Sequence, residues 1–168
     1  GRLEKMIELA SGMSPTLTGR ENVALRCRLL GLSKRETADR LDEIVDFAEL
    51  AEFIDSPVQY YSSGMKARLG FATTVAMRPD VLLIDEVLAV GDLGFRMKCY
   101  ERVDQMRQSS AVILVTHGMN HVARMSSASL VLHKGKVAHY GSVQGGIALY
   151  QELSGAQGPV KEISLHPD

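Results

Sequence analysis

Two runs of residues constrain this chain more than any other feature. Val81-Leu82-Leu83-Ile84 and Ala111-Val112-Ile113-Leu114-Val115 are apolar at every position. A strand with one wet face alternates apolar and polar residues, whereas an unbroken apolar run suits a parallel strand covered on both faces. Residues 94–108, between the runs, read as a helix. Buried strands alternating with helices predict an α/β fold with a mainly parallel sheet.

The remaining signals fill in around that frame. Residues 3–9 are a short amphipathic piece, the tail of a helix or a strand, and residues 10–17 read as a loop with Gly12, Ser14 and Pro15. Thr18-Gly-Arg-Glu21 and Ser33-Lys-Arg-Glu36 both fit capping boxes. The first opens a helix that runs to about Leu30 and stops at Gly31. The second opens a helix with Ala38, Leu41, Ile44, Val45 and Ala48 on one stripe, and Pro57 closes that region. A helix from Ser62 or Ser63 to Met77 precedes Pro79. A short helix is expected at 119–125, a hairpin at 131–139 around Lys134-Gly135, and a helix at 143–153. The expected organisation is one domain over 1–154, with a helical subdomain at about 18–56 and the strand-bearing part at about 57–154. The segment 155–168 reads as a tail or linker.

Composition excludes several classes. The chain has 168 residues, 45% hydrophobic and 23% charged, with a net charge of -1 and a pI near 6.6. There is no global basic field of the kind that recruits nucleic acid. Cys27 and Cys99 have no metal-ligand spacing and read as reduced thiols, with a single disulfide as the alternative. No apolar run reaches the roughly 18 residues needed to cross a bilayer.

Three segments carry chemistry. The strand at Val81–Ile84 ends in Asp85 and Glu86, and ligands of open parallel sheets sit beyond the carboxyl ends of strands. One acid there can hold Mg²⁺ through water while the other orients or deprotonates an attacking water. The plain alternative is a strand running out into a polar loop. The strand at 111–115 leads into Thr116-His117, where a histidine can contact a phosphate oxygen or hold a water; an ordinary strand-end histidine reads the same way. His121 lies four residues on, a spacing that suits a metal on a helix, but no acidic or cysteine partner lies nearby. Tyr61-Ser62-Ser63-Gly64-Met65 opens a helix with small residues, leaving backbone N–H groups and the positive dipole end for an anion, or for a simple N-cap by Ser62 or Ser63.

In order, these segments, with Ala89-Val90-Gly91-Asp92 between them, resemble the ATP-binding-cassette ATPases over about residues 1–150. The resemblance implies that Ser62, Ser63, Gly64 and Met65 belong to the signature motif that binds ATP. It likewise implies that Asp85 is the Walker B aspartate acting on Mg²⁺, Glu86 the catalytic glutamate, Asp92 the D-loop aspartate and His117 the switch histidine. Leu17-Thr-Gly-Arg-Glu-Asn22, Tyr61-Ser-Ser-Gly-Met-Lys-Ala-Arg-Leu-Gly-Phe71 and Asp85-Glu-Val-Leu-Ala-Val-Gly-Asp92 narrow the likeness to ATPase subunits that export O-antigen, capsule and teichoic acid. Such a subunit works as a homodimer on the inner face of the plasma membrane. It would meet a transmembrane permease through the 19–56 helices and have no nucleic-acid partner.

Three departures stand out. Ser63 and Met65 replace the usual glycine and glutamine of the signature. No Gly-x-x-x-x-Gly-Lys-Ser/Thr occurs, so the resemblance places the strand, phosphate-binding loop and helix ahead of residue 1, and the chain by itself is expected to be inactive. No glutamine stands at the Q-loop position, where Glu8 is the nearest candidate to assist the metal and an ordinary surface glutamate is the alternative. Two rival functions share the motifs: a soluble ATPase of this family acting on nucleic acid or ribosomes, and an inactive remnant completing a partner's site.

Overall fold

The computed structural model describes residues 3–6, for backbone only, together with 12–85 and 91–155. Glu8, Glu86 and most of the 155–168 tail therefore lie outside the described residues. The chain divides into two compact units, Gly1–Val115 and Thr116–Asp168.

In the first unit, β1 (Leu3–Met6), β2 (Val81–Asp85) and β3 (Ala111–Val115) form a parallel sheet in the order β1-β2-β3. The piece at 3–9 thus contains a strand, with Leu3 paired to Val81. Leu82 and Ile84 of β2 are fully buried. Strand β3 departs from the expectation of burial on both faces. Its Ile113 and Val115 are 52% and 50% exposed, while Val112 and Leu114 are half-buried. An apolar run states that a strand can be covered on both faces, but the cover comes from other elements, and the described ones leave one face of β3 open.

Both capping boxes form. Helix α1 (Gly19–Leu29) is capped by Thr18 with Glu21, and α2 (Lys34–Ala48) by Ser33 with Glu36. The first helical N–H groups of α1 find outside partners as well: Gly19 donates to Ser56 and Arg20 to Ile54, which satisfies donors that a helix start otherwise leaves open. This brings α1 so close to the 53–57 turns that a Cβ on Gly19 would lie 2.4 Å from the Tyr61 hydroxyl and 3.1 Å from the Ile54 carbonyl. Alanine normally favours a helix over glycine by about 1 kcal/mol. Here the sign reverses, and Gly19→Ala is expected to destabilise the fold by about 1–3 kcal/mol. Denaturant unfolding of the two proteins checks this.

Helix α2 ends earlier than the region closed by Pro57 suggested. It stops at Ala48, and Glu49 adopts a left-handed conformation, φ 58° and ψ 44°, where glycine is the usual residue. A 3-10 turn at Val58–Tyr60 leads into α3 (Ser63–Ala76). Every residue from Leu69 to Met77 is buried, as expected of a helix clothed on all sides. Leu69, Ala72 and Ala76 join Val23, Cys27, Ile44, Ala48 and Ile54 in one core shared with α1 and α2. On another side Phe71 stacks on Phe47 at 5.8 Å and meets Phe95 edge-on at 6.4 Å. Phe95 lies on α4 (Leu93–Met106), a helix one residue earlier at its start and two shorter at its end than the sequence suggested.

Both cysteines are free and buried. Burial pushes the Cys27 thiol up and the Cys99 thiol up to about 12. The thiolate is the reactive form, so neither residue is expected to react with a thiol reagent at pH 8 in the native protein. Two equivalents should appear only on unfolding, which a timed labelling assay with and without denaturant reads directly.

In the second unit, α5 (Met119–Met125) precedes the hairpin of β4 (Ser129–His133) and β5 (Lys136–Gly141). Its turn residues Lys134 and Gly135 both have positive φ, 48° and 75°, as the tight turn favoured between twisted antiparallel strands requires. Helix α6 (Val143–Leu153) is capped by Ser142 and packs on the hairpin.

Candidate functional site

The segment Tyr61–Met65 divides its labour residue by residue. Tyr61 is buried and donates its hydroxyl to the Phe53 carbonyl at 2.6 Å, which fixes the entry to α3. Ser62, rather than Ser63, is the N-cap: its Oγ accepts from the Met65 N–H at 3.1 Å. The Ser63 and Gly64 N–H groups are then the leading donors that helix geometry leaves without an intrahelical acceptor. The first turn carries no acidic residue, so nothing opposes the positive end of the helix dipole. A Cβ on Gly64 would meet only the Ser62 Oγ, at 3.8 Å. The chain's own packing therefore does not demand glycine here, and the open backbone is the kind of surface against which an anion sits. Ser63 and Gly64 thus fit a phosphate group by position and by donor chemistry, while the Met65 N–H is taken up by the Ser62 cap.

Asp85 is the last residue of β2, half-buried, and opposite Val115 in the register with β3. His117 is the second residue after β3 and is exposed. Glu86, next to Asp85, and Glu8 lie outside the described residues. No cluster of three or more His, Cys, Asp or Glu is assembled for a metal among the described residues. Magnesium keeps several waters and is usually held by one or two carboxylates together with substrate phosphates, so a lone Asp85 at a strand end fits that ion.

Asp92 has a structural duty that its sequence context did not announce. It is the N-cap of α4, with Oδ1 accepting from the Phe95 N–H at 2.9 Å, and Oδ2 accepts from Arg68 of α3. The Phe95 N–H, with the Arg68 charge, holds its carboxyl below the usual carboxylate range. Through Arg68 the structure brings α3 and Asp92 together. Among the described residues no hydrogen bond or ion pair joins Asp85 to either. Sequence reading missed Arg68 and its second carboxylate partner, Glu49, because these residues stand 19 positions apart with no local pattern linking them.

Comparisons with known proteins give the family and the fold. The family model described as ABC transporter matches residues 3–89, just over half the chain. The O-antigen export system ATP-binding protein RfbB of Klebsiella pneumoniae is 42% identical over 153 residues, covering 90% of this chain and 62% of that protein. The ABC transporter protein AbcA of Aeromonas salmonicida is 42% identical over 159 residues, 94% of this chain and 52% of its own length. The teichoic acids export ATP-binding protein TagH of Bacillus anthracis is 38% identical over 149 residues, 88% of this chain and 27% of its own. The chain thus spans less than two thirds of these relatives. Among solved structures, the ATP-binding subunit of an ABC transporter superposes with a TM-score of 0.79 at 24% identity, covering 91% of this chain and 68% of that one. A dimeric ATP-binding cassette in a post-hydrolysis state with ADP and Pi gives 0.68 at 24% identity, covering 84% and 63%. The fold is that of these cassettes, and by the match over residues 3–89 the chain belongs to the ABC transporter family.

Proposed function

We propose that this chain forms part of the ATP-binding and hydrolysing subunit that powers export of a cell-surface polysaccharide or teichoic acid. The observation that carries the reading is the open N-terminus of α3 at Ser63 and Gly64, in a chain whose relatives in both polymer classes are named as export ATP-binding proteins. Bound Mg-ATP supplies the phosphoanhydride bond to be cleaved and the charge that screens its oxygens. The chain's own residues then divide the work. The Ser63 and Gly64 N–H groups, with Ser62 and Met65 beside them, face the phosphate side of a site completed by a second copy. Asp85 would hold the Mg²⁺ through water, with Glu8 as a second candidate to assist. Glu86 orients the attacking water and takes its proton, and His117 holds a phosphate oxygen or that water. Asp92 lies in the segment that links the two copies. The α1–α2 region contacts a transmembrane permease, which places the subunit on the cytoplasmic face of the plasma membrane. Among the described residues no helix is long and apolar enough to cross a membrane.

Gly64→Ala separates the binding role from the structural one. An added Cβ meets only the Ser62 Oγ, at an ordinary contact distance of 3.8 Å, and alanine favours the helix, so thermal stability should hold or rise slightly. Turnover of the full-length subunit should nevertheless fall roughly ten-fold or more, because the approaching phosphate is displaced. Unchanged turnover would remove the α3 N-terminus from the site. The function itself is tested by deleting the gene in its host. Loss of the surface polymer, restored by the wild-type gene and not by one carrying Glu86→Gln, is the expected result. An intact polymer, or salt-sensitive DNA binding by the subunit, would redirect the reading to a soluble ATPase of the family.

A further inference from the structure

Four charged groups meet where α2, α3 and α4 converge, all within the first unit. The Arg68 guanidinium, on α3, spans two carboxylates: Nη1 donates to Glu49 Oε2 at 2.9 Å and Nη2 donates to Asp92 Oδ2. Its Cζ lies 4.7 Å from the centre of the Phe95 ring. Lys98, on α4, donates to the other Glu49 oxygen at 3.1 Å and to the Phe47 carbonyl at 3.1 Å. The left-handed end of α2 is therefore held by one cation from α3 and one from α4. Such an arrangement suits the negative end of a helix dipole.

The packing around Arg68 is close as well as charged. Gly91 has a φ of 66°, and a Cβ there would lie 3.2 Å from Arg68 Nε and 3.3 Å from the Phe95 Cβ. Arg68 is only 19% exposed, whereas its partners Glu49 and Asp92 are 50% and 66% exposed. The guanidinium is thus a mostly buried hub with two more exposed carboxylate arms. A planar fork can hold two carboxylates in fixed relative positions, while an ammonium is a single point charge.

We propose that Arg68 is a positioning residue: it fixes Asp92 and the Gly91 turn to the C-terminal end of α2, so that displacement of the α1–α2 segment moves Asp92. This rests on the functional reading above and adds to it the residue through which the helical segment reaches the site. Neither Arg68 nor Glu49 is placed in contact with nucleotide, so their effect passes through Asp92.

The test uses the full-length subunit with Arg68→Met, Arg68→Lys, Glu49→Gln and the Arg68→Met/Glu49→Gln pair. ATP affinity is read by equilibrium dialysis, turnover by phosphate release, and folding by thermal melting. Expected results are unchanged ATP affinity and KM, with kcat lowered roughly ten- to a hundred-fold in Arg68→Met, a scale typical of small misplacements. Arg68→Lys should show a smaller loss, and Glu49→Gln a partial one. The double variant should be no worse than Arg68→Met, because the Arg68–Glu49 contact is already lost in that variant and glutamine keeps an oxygen for Lys98. Full kcat in a folded Arg68→Met, or losses that multiply in the pair, overturns the proposal. Should Arg68→Met not fold, Arg68→Lys decides alone: kcat equal to wild type overturns it, and a lowered kcat at constant KM supports it. A wild-type subunit that hydrolyses no ATP would bring down the functional reading, and this proposal with it. An active wild type with indifferent variants would bring down the proposal alone.

Discussion

Glu86→Gln in the full-length subunit should leave ATP binding intact and lower turnover by roughly two to three orders of magnitude, the scale lost when a well-placed catalytic proton acceptor is removed. The substitution keeps the size and the hydrogen-bonding reach of the side chain but removes its charge and basicity. Asp85, one residue earlier at the end of β2 and the residue proposed to hold the metal, keeps its charge, so affinity for Mg-ATP should hold while kcat falls. That pattern identifies an interaction made in the transition state and not in the ground state. Phosphate-release kinetics with a parallel binding isotherm check it. Equal losses in affinity and turnover would instead make Glu86 part of the metal or nucleotide site, and unchanged turnover would remove it from the mechanism.

Phe71→Ala should be the most damaging single change to folding. The Phe71 ring is fully buried, stacked on Phe47 of α2 and edge-on to Phe95 of α4, so its removal leaves a cavity at the junction of three helices. Large-to-small changes of this kind cost about 3–5 kcal/mol, against a total stability of about 5–15 kcal/mol for a typical domain. The expected outcome is a large drop in the denaturation midpoint, or failure to accumulate as folded protein. Phe53→Ala is the control: Phe53 is 48% exposed, and the same chemical change there should have a much smaller effect. Similar losses at both positions would mean that the junction is not where stability is concentrated. The same junction carries the Arg68 connection, which lies over the Phe95 ring, so core packing and the placing of Asp92 share one foundation.

Much of the fold was legible because its signals are local. A capping box is written in four consecutive residues, and Thr18–Glu21 and Ser33–Glu36 formed as read. The hairpin turn needs two adjacent residues at positive φ, and Lys134-Gly135 supplied them. The apolar runs at 81–84 and 111–115 became parallel neighbours, because every residue of such a run is compatible with burial. The order of four motifs, Ser62–Met65, Asp85-Glu86, Ala89–Asp92 and Thr116-His117, pointed to the family to which the chain belongs.

The rest depended on residues far apart in the chain. Nothing beside Glu49 says that a glutamate will take a left-handed conformation; it does so where Arg68 and Lys98 grip its carboxylate, 19 and 49 positions away. Gly19 reads as an ordinary helix start until the Ile54 carbonyl and the Tyr61 hydroxyl close over it. Asp92 reads as a motif aspartate, and only the structure shows it capping α4 and held by Arg68 from 24 positions away. The open face of β3 is the same lesson in reverse, since the sequence states what a strand tolerates and the neighbouring elements decide what covers it. Backbone preference and apolar pattern are properties of short segments, so the sequence by itself determined the elements and the family. Closeness, burial and charge pairing are properties of which segments meet, and those only the tertiary structure decided.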